Sequence, residues 1–261
     1  MMIVNMNILC IALCVACCLA GCQCKRENRS FTGLHDAAFR GDRAAVEELL
    51  AKGEDVHAID KHAMTPLCMA AQYGHKDIAK LLLAHGANPN DGSLTYAAGA
   101  DQREMAQLLI SRGARPTGDP MAQAAIDGRV EMLRLLIEKG ADVNVKGVHA
   151  YSGEPGRTSP DIYGSTPLCL ASSFGHSEAV KILLDSKADP NRKSIDGYPL
   201  MAAARNGHKA IVEMLLSAGA NPHSKDPDGK TALEAATQNG HNDVADMIRS
   251  FIKTSATATT R

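Results

Sequence analysis

The chain has 261 residues, enough for one elongated domain or two small ones, and its 45% hydrophobic and 22% charged residues exclude both a largely disordered chain and a multi-pass membrane protein. Its 28 lysines and arginines nearly cancel its 29 aspartates and glutamates, so no long-range positive field exists to hold a nucleic acid by its phosphates. Tryptophan is absent and aromatics are only 3%, which disfavours a rounded core built on large rings and favours small residues and leucines packed helix on helix.

Six of the eight cysteines precede the first charged residue, Lys25. Ile8 to Leu19 is a run of 12 apolar or cysteine residues. That is too short for a spanning helix of about 20 residues and suits the apolar core of an export signal. Leu19-Ala20-Gly21-Cys22 follows and resembles the lipobox of bacterial lipoproteins, although Met1 to Asn7 departs from that pattern in having no lysine or arginine. The resemblance implies a signal peptide over 1–21, acylation (palmitate) at Cys22, and a lipid-anchor linker over 22–30. Gln23 after the cysteine, rather than aspartate, implies the periplasmic side of the outer membrane in a bacterial envelope. Two or more acyl chains make such an anchor stable. An ordinary cleaved signal with an incidental cysteine is the alternative.

From residue 31 onward the chain repeats itself. The pattern Leu-x-x-Ala-Ala, with Met121 for one leucine and Ser172 and Thr237 each for a second alanine, starts at Leu34, Leu67, Leu94, Met121, Leu168, Leu200 and Leu233, with steps of 33, 27, 27, 47, 32 and 33 residues. Seven residues after each start stands an inner-turn glycine (Gly41, Gly74, Gly128, Gly175, Gly207, Gly240), replaced once by Asp101. Nineteen residues after each start stands an outer glycine (Gly53, Gly86, Gly113, Gly140, Gly219), replaced by Lys187 and Ile252. Each copy therefore reads as two short antiparallel helices. Thr65-Pro66, Thr166-Pro167 and Asp119-Pro120 combine a capping side-chain oxygen with a proline already at helical φ, which starts the first helix. The inner glycine reverses the chain, an apolar run such as Ile78 to Leu83 forms the second helix, and the outer glycine ends it. Ala70-Ala71, Ala97-Ala98 and Ala124-Ala125 are small where neighbouring copies touch, so stacking is the means of burial.

Met64-Thr65-Pro66-Leu67 through Gly74-His75 to Gly86-Ala87-Asn88-Pro89-Asn90 resembles an ankyrin repeat, and the likeness recurs at Thr166-Pro167-Leu168, at Leu200 with Gly207-His208, and at Thr231 with Gly240-His241. It implies an all-α solenoid of about seven helix-turn-helix repeats with short β-hairpin fingers, over residues 31–252. The repeats fall near 31–60, 61–90, 91–116, 117–145, 161–193, 194–226 and 227–252, with an inserted loop at 146–160 and a disordered tail at 253–261. The 27-residue steps predict fingers clipped to tight turns at Asp91-Gly92 and Thr117-Gly118. The inserted loop reads equally as a functional protrusion or a tolerated insertion. Glu48 stands where later copies have Leu81, Leu108, Leu135, Ile182, Met214 and Met247, so the first repeat reads as a polar amino-terminal cap.

His75, His176, His208 and His241 each follow the inner glycine. Layers about 10 Å apart cannot share an ion with metal–nitrogen bonds of about 2 Å, so these read as residues bonding nearby backbone. Cys68 and Cys169 lie three layers apart, beyond disulfide reach, and read as buried small hydrophobes. No phosphate loop, nucleophile elbow or metalloprotease motif occurs, and neither catalysis nor a cofactor or metal is expected.

The resemblance implies a concave contact surface formed by finger tips and by the side chains five and six places after each repeat leucine. In this sequence those are Phe39 and Arg40, Gln72 and Tyr73, Gly99 and Ala100, Ile126 and Asp127, Ser173 and Phe174, Arg205 and Asn206, Gln238 and Asn239. Tyr163 and Ile162 on the finger after the insertion extend that face. Three of the chain's nine aromatic rings fall on this stripe, which marks a binding patch or the filling of gaps between inner helices. The expected function is a non-enzymatic, lipid-anchored, monomeric module that binds a partner protein, with no nucleic acid and with membrane contact through its anchor alone. A narrower alternative is an immunity or inhibitor protein that neutralises a toxin or hydrolase; another is an envelope stress or metal-handling protein.

Overall fold

The computed structural model describes residues 33–148, 163–195 and 197–258. The expectations for the signal peptide, Cys22, the linker and Ile162, and all but the first residues of the inserted loop, lie outside the described residues. Seven helix pairs follow one another: α1 (Leu34–Arg40) and α2 (Arg43–Ala51), α3 (Pro66–Tyr73) and α4 (Lys76–Ala84), α5 (Ser93–Gly99) and α6 (Arg103–Ser111), α7 (Asp119–Ile126) and α8 (Val130–Glu138). After β1 (Gly147–Val148) and β2 (Tyr163–Ser165) come α9 (Pro167–Phe174) and α10 (Ser177–Asp185), α11 (Pro199–Arg205) and α12 (Lys209–Ser217), α13 (Ala232–Gln238) and α14 (Asn242–Ala258). Each odd-numbered, inner helix packs on the next odd one and each even-numbered, outer helix on the next even one, which is the arrangement of a solenoid.

The register residues make the spine. Leu34, Leu67, Leu94, Met121, Leu168 and Leu200 are buried, and so are the paired small residues that follow them, alanines except for Ser172. Each buried leucine or methionine contributes about 1.5–3 kcal/mol of transfer free energy. Leu233, in the seventh repeat, is half-buried. At the other end α2 buries only Val46, whereas α4 buries Ile78, Ala79 and Leu82, so the first repeat is a polar cap in which Lys52 Nζ meets Glu48 at 2.5 Å.

The turns follow the sequence pattern down to its exceptions. All seven inner-turn residues have positive φ, including Asp101 at 55°, and Lys187 takes the outer-turn conformation at φ 70°. Aspartate tolerates that left-handed region better than most residues, whereas lysine is strained in it. Thr65 and Thr166 cap their helices by accepting from Cys68 N and Cys169 N. The third expected cap is corrected: α7 starts at Asp119 itself and its cap position is Gly118, because the clipped finger leaves no residue to turn before the aspartate.

The fingers are mostly turns. Among the described residues only β1–β2 forms a ladder, pairing Gly147 with Ser165 and Val148 with Tyr163, and Ser194 makes a single bridge to Gly197. In the first and last fingers a carboxylate replaces a ladder bond. Asp60 N donates to Met64 O while Met64 N donates to Asp60 Oδ1, both at 2.9 Å, and Asp226 repeats this with Lys230. The two clipped fingers are turns, and at Asp91-Gly92 the Asp91 carboxylate accepts from Ser93 N at 2.9 Å and from Thr65 Oγ1 at 2.5 Å.

The expected tail over 253–261 is corrected as far as Ala258, and 259–261 lie outside the described residues. The last helix runs unbroken through Ile252 to Ala258. Thr254 and Ser255 bond back to the carbonyls of Ser250, Phe251 and Ile252 at 2.9–3.1 Å, so their hydroxyls satisfy the helix instead of competing with it.

Candidate concave binding surface

Two sets of polar links join successive repeats and fix the surface. On the inner-helix side, His75, His176 and His208 donate from Nε2 to the carbonyls of Phe39, Ile126 and Ser173 in the preceding repeat, at 3.1, 2.7 and 3.1 Å. Each imidazole covers that repeat's inner glycine, and a Cβ on Gly175 would lie 2.7 Å from His208. The glycine is thus required twice, for φ 81° and for the space its missing Cβ leaves. On the outer side, Asn90, Asn144 and Asn191 each donate to a carbonyl and accept from an amide in the following repeat. For Asn191 these are Gly219 O at 2.9 Å and Asn221 N at 2.7 Å. Asn144 reaches Lys187 O and Asp189 N in the same way, so the stack continues directly across the insertion.

These links carry the concave positions into one row, whose two ends differ. At the amino end Phe39 and Tyr73 meet edge to face with ring centroids 4.7 Å apart, and Tyr73 stacks on His75 at 6.5 Å; both rings are half-buried. Arg40 is exposed and pairs with Asp36 at 3.0 Å, and Gln72 is half-buried beside it. The middle is flat: Gly99 and Ala100 offer almost no side chain, Ile126 is half-buried, and Asp127 accepts from Gln123 Nε2 at 2.7 Å. Towards the carboxyl end Phe174 is 48% exposed. Arg205 reaches Asp226 at 3.6 Å, and Asn206 donates to Ser173 O and Ala202 O. Tyr163 contributes its backbone to β2 beside this row. The aromatic stripe is therefore two things: interlocked rings between the first two repeats, and an open ring in the fifth.

Asp226, Ile195 and Ile59 belong to this face and were not singled out in the sequence. Ile59 and Ile195 are exposed fingertip residues, at 66% and 41%. The signal for Asp226 was present in its spacing, four residues before the one preceding a helix-capping threonine, as in Asp60…Met64-Thr65 and Asp226…Lys230-Thr231. What the spacing does not convey is that the carboxylate also faces Arg205 of the previous repeat.

The remaining reactive groups are internal. Cys68 and Cys169 are both buried. Burial first, and then the Asp91 carboxylate, push the Cys68 thiol up to about 11, so it is a hydrogen-bonding core residue and no nucleophile. Among the described residues no group of three or more histidines, cysteines, aspartates or glutamates is placed to hold a metal ion, and no helix is long and apolar enough to cross a membrane.

Comparison with known proteins agrees with this geometry. The family model described as "Ankyrin repeats (3 copies)" matches residues 34–119, 94–194 and 192–257. The palmitoyltransferase AKR1 of Debaryomyces hansenii is 40% identical over 62 residues, 24% of this chain and 8% of that protein. The cyclin-dependent kinase 4 inhibitor B of Rattus norvegicus is 39% identical over 61 residues, 23% of this chain and 46% of that protein. The chain thus spans less than half the length of either relative. The crystal structure of the human ASB11 ankyrin repeat domain superposes with a TM-score of 0.68 at 24% identity, covering 84% of this chain and 98% of that one. That likeness is one of fold.

Proposed function

The chain belongs to the ankyrin-repeat family, and from that premise we propose that it holds a partner protein on its concave face without catalysing a reaction on it. A protein-interaction module is the function the repeats themselves support. The observation that carries the concave assignment is the exposure of Phe174, a large apolar ring kept 48% accessible on the inner-helix row while the rest of that helix is buried or capped. Repeats stack on their neighbours through buried apolar side chains, reinforced at particular junctions by hydrogen bonds, so the surface is preorganised and little ordering entropy is lost on association. The short match to an enzyme covers 8% of that protein and transfers no activity. Capture of the partner by the tagged full chain from solubilised envelopes, compared with the Tyr73→Ala/Phe174→Ala double variant, is the test. The double variant is expected to retain its helical circular dichroism and lose the partner. Undiminished capture removes the concave face from the mechanism.

Lipid anchoring at Cys22, on the periplasmic side of an outer membrane, is part of the same proposal and rests on the Leu19-Ala20-Gly21-Cys22 sequence. Cys22→Ser is expected to move the protein from the membrane to the soluble fraction. A narrower role, neutralisation of a toxin or hydrolase, is the alternative form of the proposal. Protection of growth against such an enzyme, lost in the double variant, separates inhibition from scaffolding.

A further inference from the structure

We propose that the junction between the third and fourth repeats is a seam, at which repeats one to three open and reclose as one unit while repeats four to seven stay folded. Two linking residues recur along the column: the histidine over the inner glycine and the asparagine that bridges to the next outer turn. The first–second and sixth–seventh junctions keep the histidine, as His75 and His241, and the second–third keeps the asparagine, as Asn90. The fourth–fifth and fifth–sixth junctions keep both. Among the described residues the third–fourth junction alone has lost both: Thr117 stands at the asparagine position, and Arg129 and Asp101 at those of histidine and glycine. The clipped finger is not the cause. Asn90 precedes the other clipped finger, and it donates to Gly113 O at 3.1 Å and accepts from Arg115 N at 3.0 Å. Gly140 and Asp142 stand at those places in the fourth repeat, so the bridge is missing because threonine carries no amide.

The replacements also lower the cost of opening. Arg129 Nε and Asp101 Oδ1 are buried with no hydrogen-bond partner. Parting the two repeats returns both atoms to water and recovers the desolvation that the closed junction bears. What keeps the seam shut is apolar: Leu94, Ala97, Ala98, Met121 and Ala125 are buried there. The closed form therefore predominates and the opening is a minor, sub-global one. The amino side is the one that opens, because it holds three repeats against four and its outermost helix buries only Val46. The seam falls between the interlocked Phe39 and Tyr73 rings and the open Phe174, so opening parts the two apolar regions of the concave row.

The test is native-state hydrogen exchange of the full chain in detergent at low urea, read by mass spectrometry. The slowest amides of α1–α6 are expected to share one protection, at least roughly tenfold below that of the slowest amides of α7–α14. Thr117→Asn, which supplies the missing bridge, is expected to raise the α1–α6 value by roughly five- to thirtyfold, and Asp101→Gly/Arg129→His by roughly fivefold, with α9–α14 unchanged. Asn191→Ala weakens a junction inside the other block; it is expected to lower protection in α11–α14 and to leave α1–α6 as it was. Equal protection on both sides of Thr117, a step at another junction, or a step that Thr117→Asn does not reduce overturns the inference. Thr117 is exposed, so this outcome does not depend on whether the double variant folds. Asn191→Ala lowering α1–α6 as much as α11–α14 overturns it too, because the column then opens as a whole.

Discussion

The junction between the fifth and sixth repeats and that between the third and fourth are built from equivalent helix pairs and linked in different ways. At the first, His208 covers Gly175 and bonds Ser173 O, Asn191 bridges to Gly219 and Asn221, and Thr166 N donates to Ser194 Oγ at 3.1 Å. At the second the asparagine position holds Thr117, the finger is clipped, and Arg129 and Asp101 occupy the two positions that four other junctions fill with histidine over glycine. Asp101 Oδ1 and Arg129 Nε are buried there without a hydrogen-bond partner. Yet α5 packs on α7 as α9 packs on α11. The comparison teaches that apolar stacking sets the repeat register, while the polar links reinforce particular junctions.

Substitutions that break the well-linked junction should cost most. Gly175→Ala places a Cβ at φ 81° and 2.7 Å from the His208 ring. It is expected to destabilise by about 2–4 kcal/mol in urea unfolding. Asn191→Ala removes two hydrogen bonds and should cost about 1–2 kcal/mol, whereas Thr117→Ala at the equivalent place should change stability by less than about 0.5 kcal/mol. Equal effects from these two changes would mean that the asparagine bridge contributes nothing. In the other direction, Asp101→Gly with Arg129→His restores the common pair and should stabilise by about 1 kcal/mol. Lys187→Gly, relieving a left-handed lysine, should add about 0.5–1 kcal/mol, read as a raised unfolding midpoint.

The smallest expected effect at neutral pH is chemical. The Cys68 thiol, raised to about 11 from an ordinary 9.0, should resist a thiol reagent at pH 8 in the native state and react only on unfolding. The fold favours the protonated form, so this group's share of stability is intact below about pH 9 and declines as pH rises from 9.0 towards 11.

Most of the fold was legible because a solenoid writes its contacts at constant spacing. The leucine, the paired alanines and both turn residues repeat in register, and even the exceptions Asp101 and Lys187 kept the backbone their positions demanded. The inter-repeat bonds were harder to read. Asn90, Asn144 and Asn191 all stand twenty-three residues after the first register residue of a repeat (Leu67, Met121 and Leu168), but their partners are backbone atoms of the next layer, which carry no sequence signal. The last helix was missed because alanine, serine and threonine beyond Lys253 read as a frayed end, whereas their hydroxyls bond back along the helix. On the concave face the positions were legible and the exposures were not: Tyr73 and Phe174 look equivalent in register, yet only Tyr73 has an aromatic neighbour one layer before it.

Where the fourth repeat gives way to the fifth, Gly147 and Ser165 lie side by side as strand partners and α7 meets α9 directly. The chain departs and returns at nearly one point, so the excursion adds contour length but no height to the column. Foreign sequence grafted there would ride outside the spine as cargo, leaving the spacing of every later repeat unchanged.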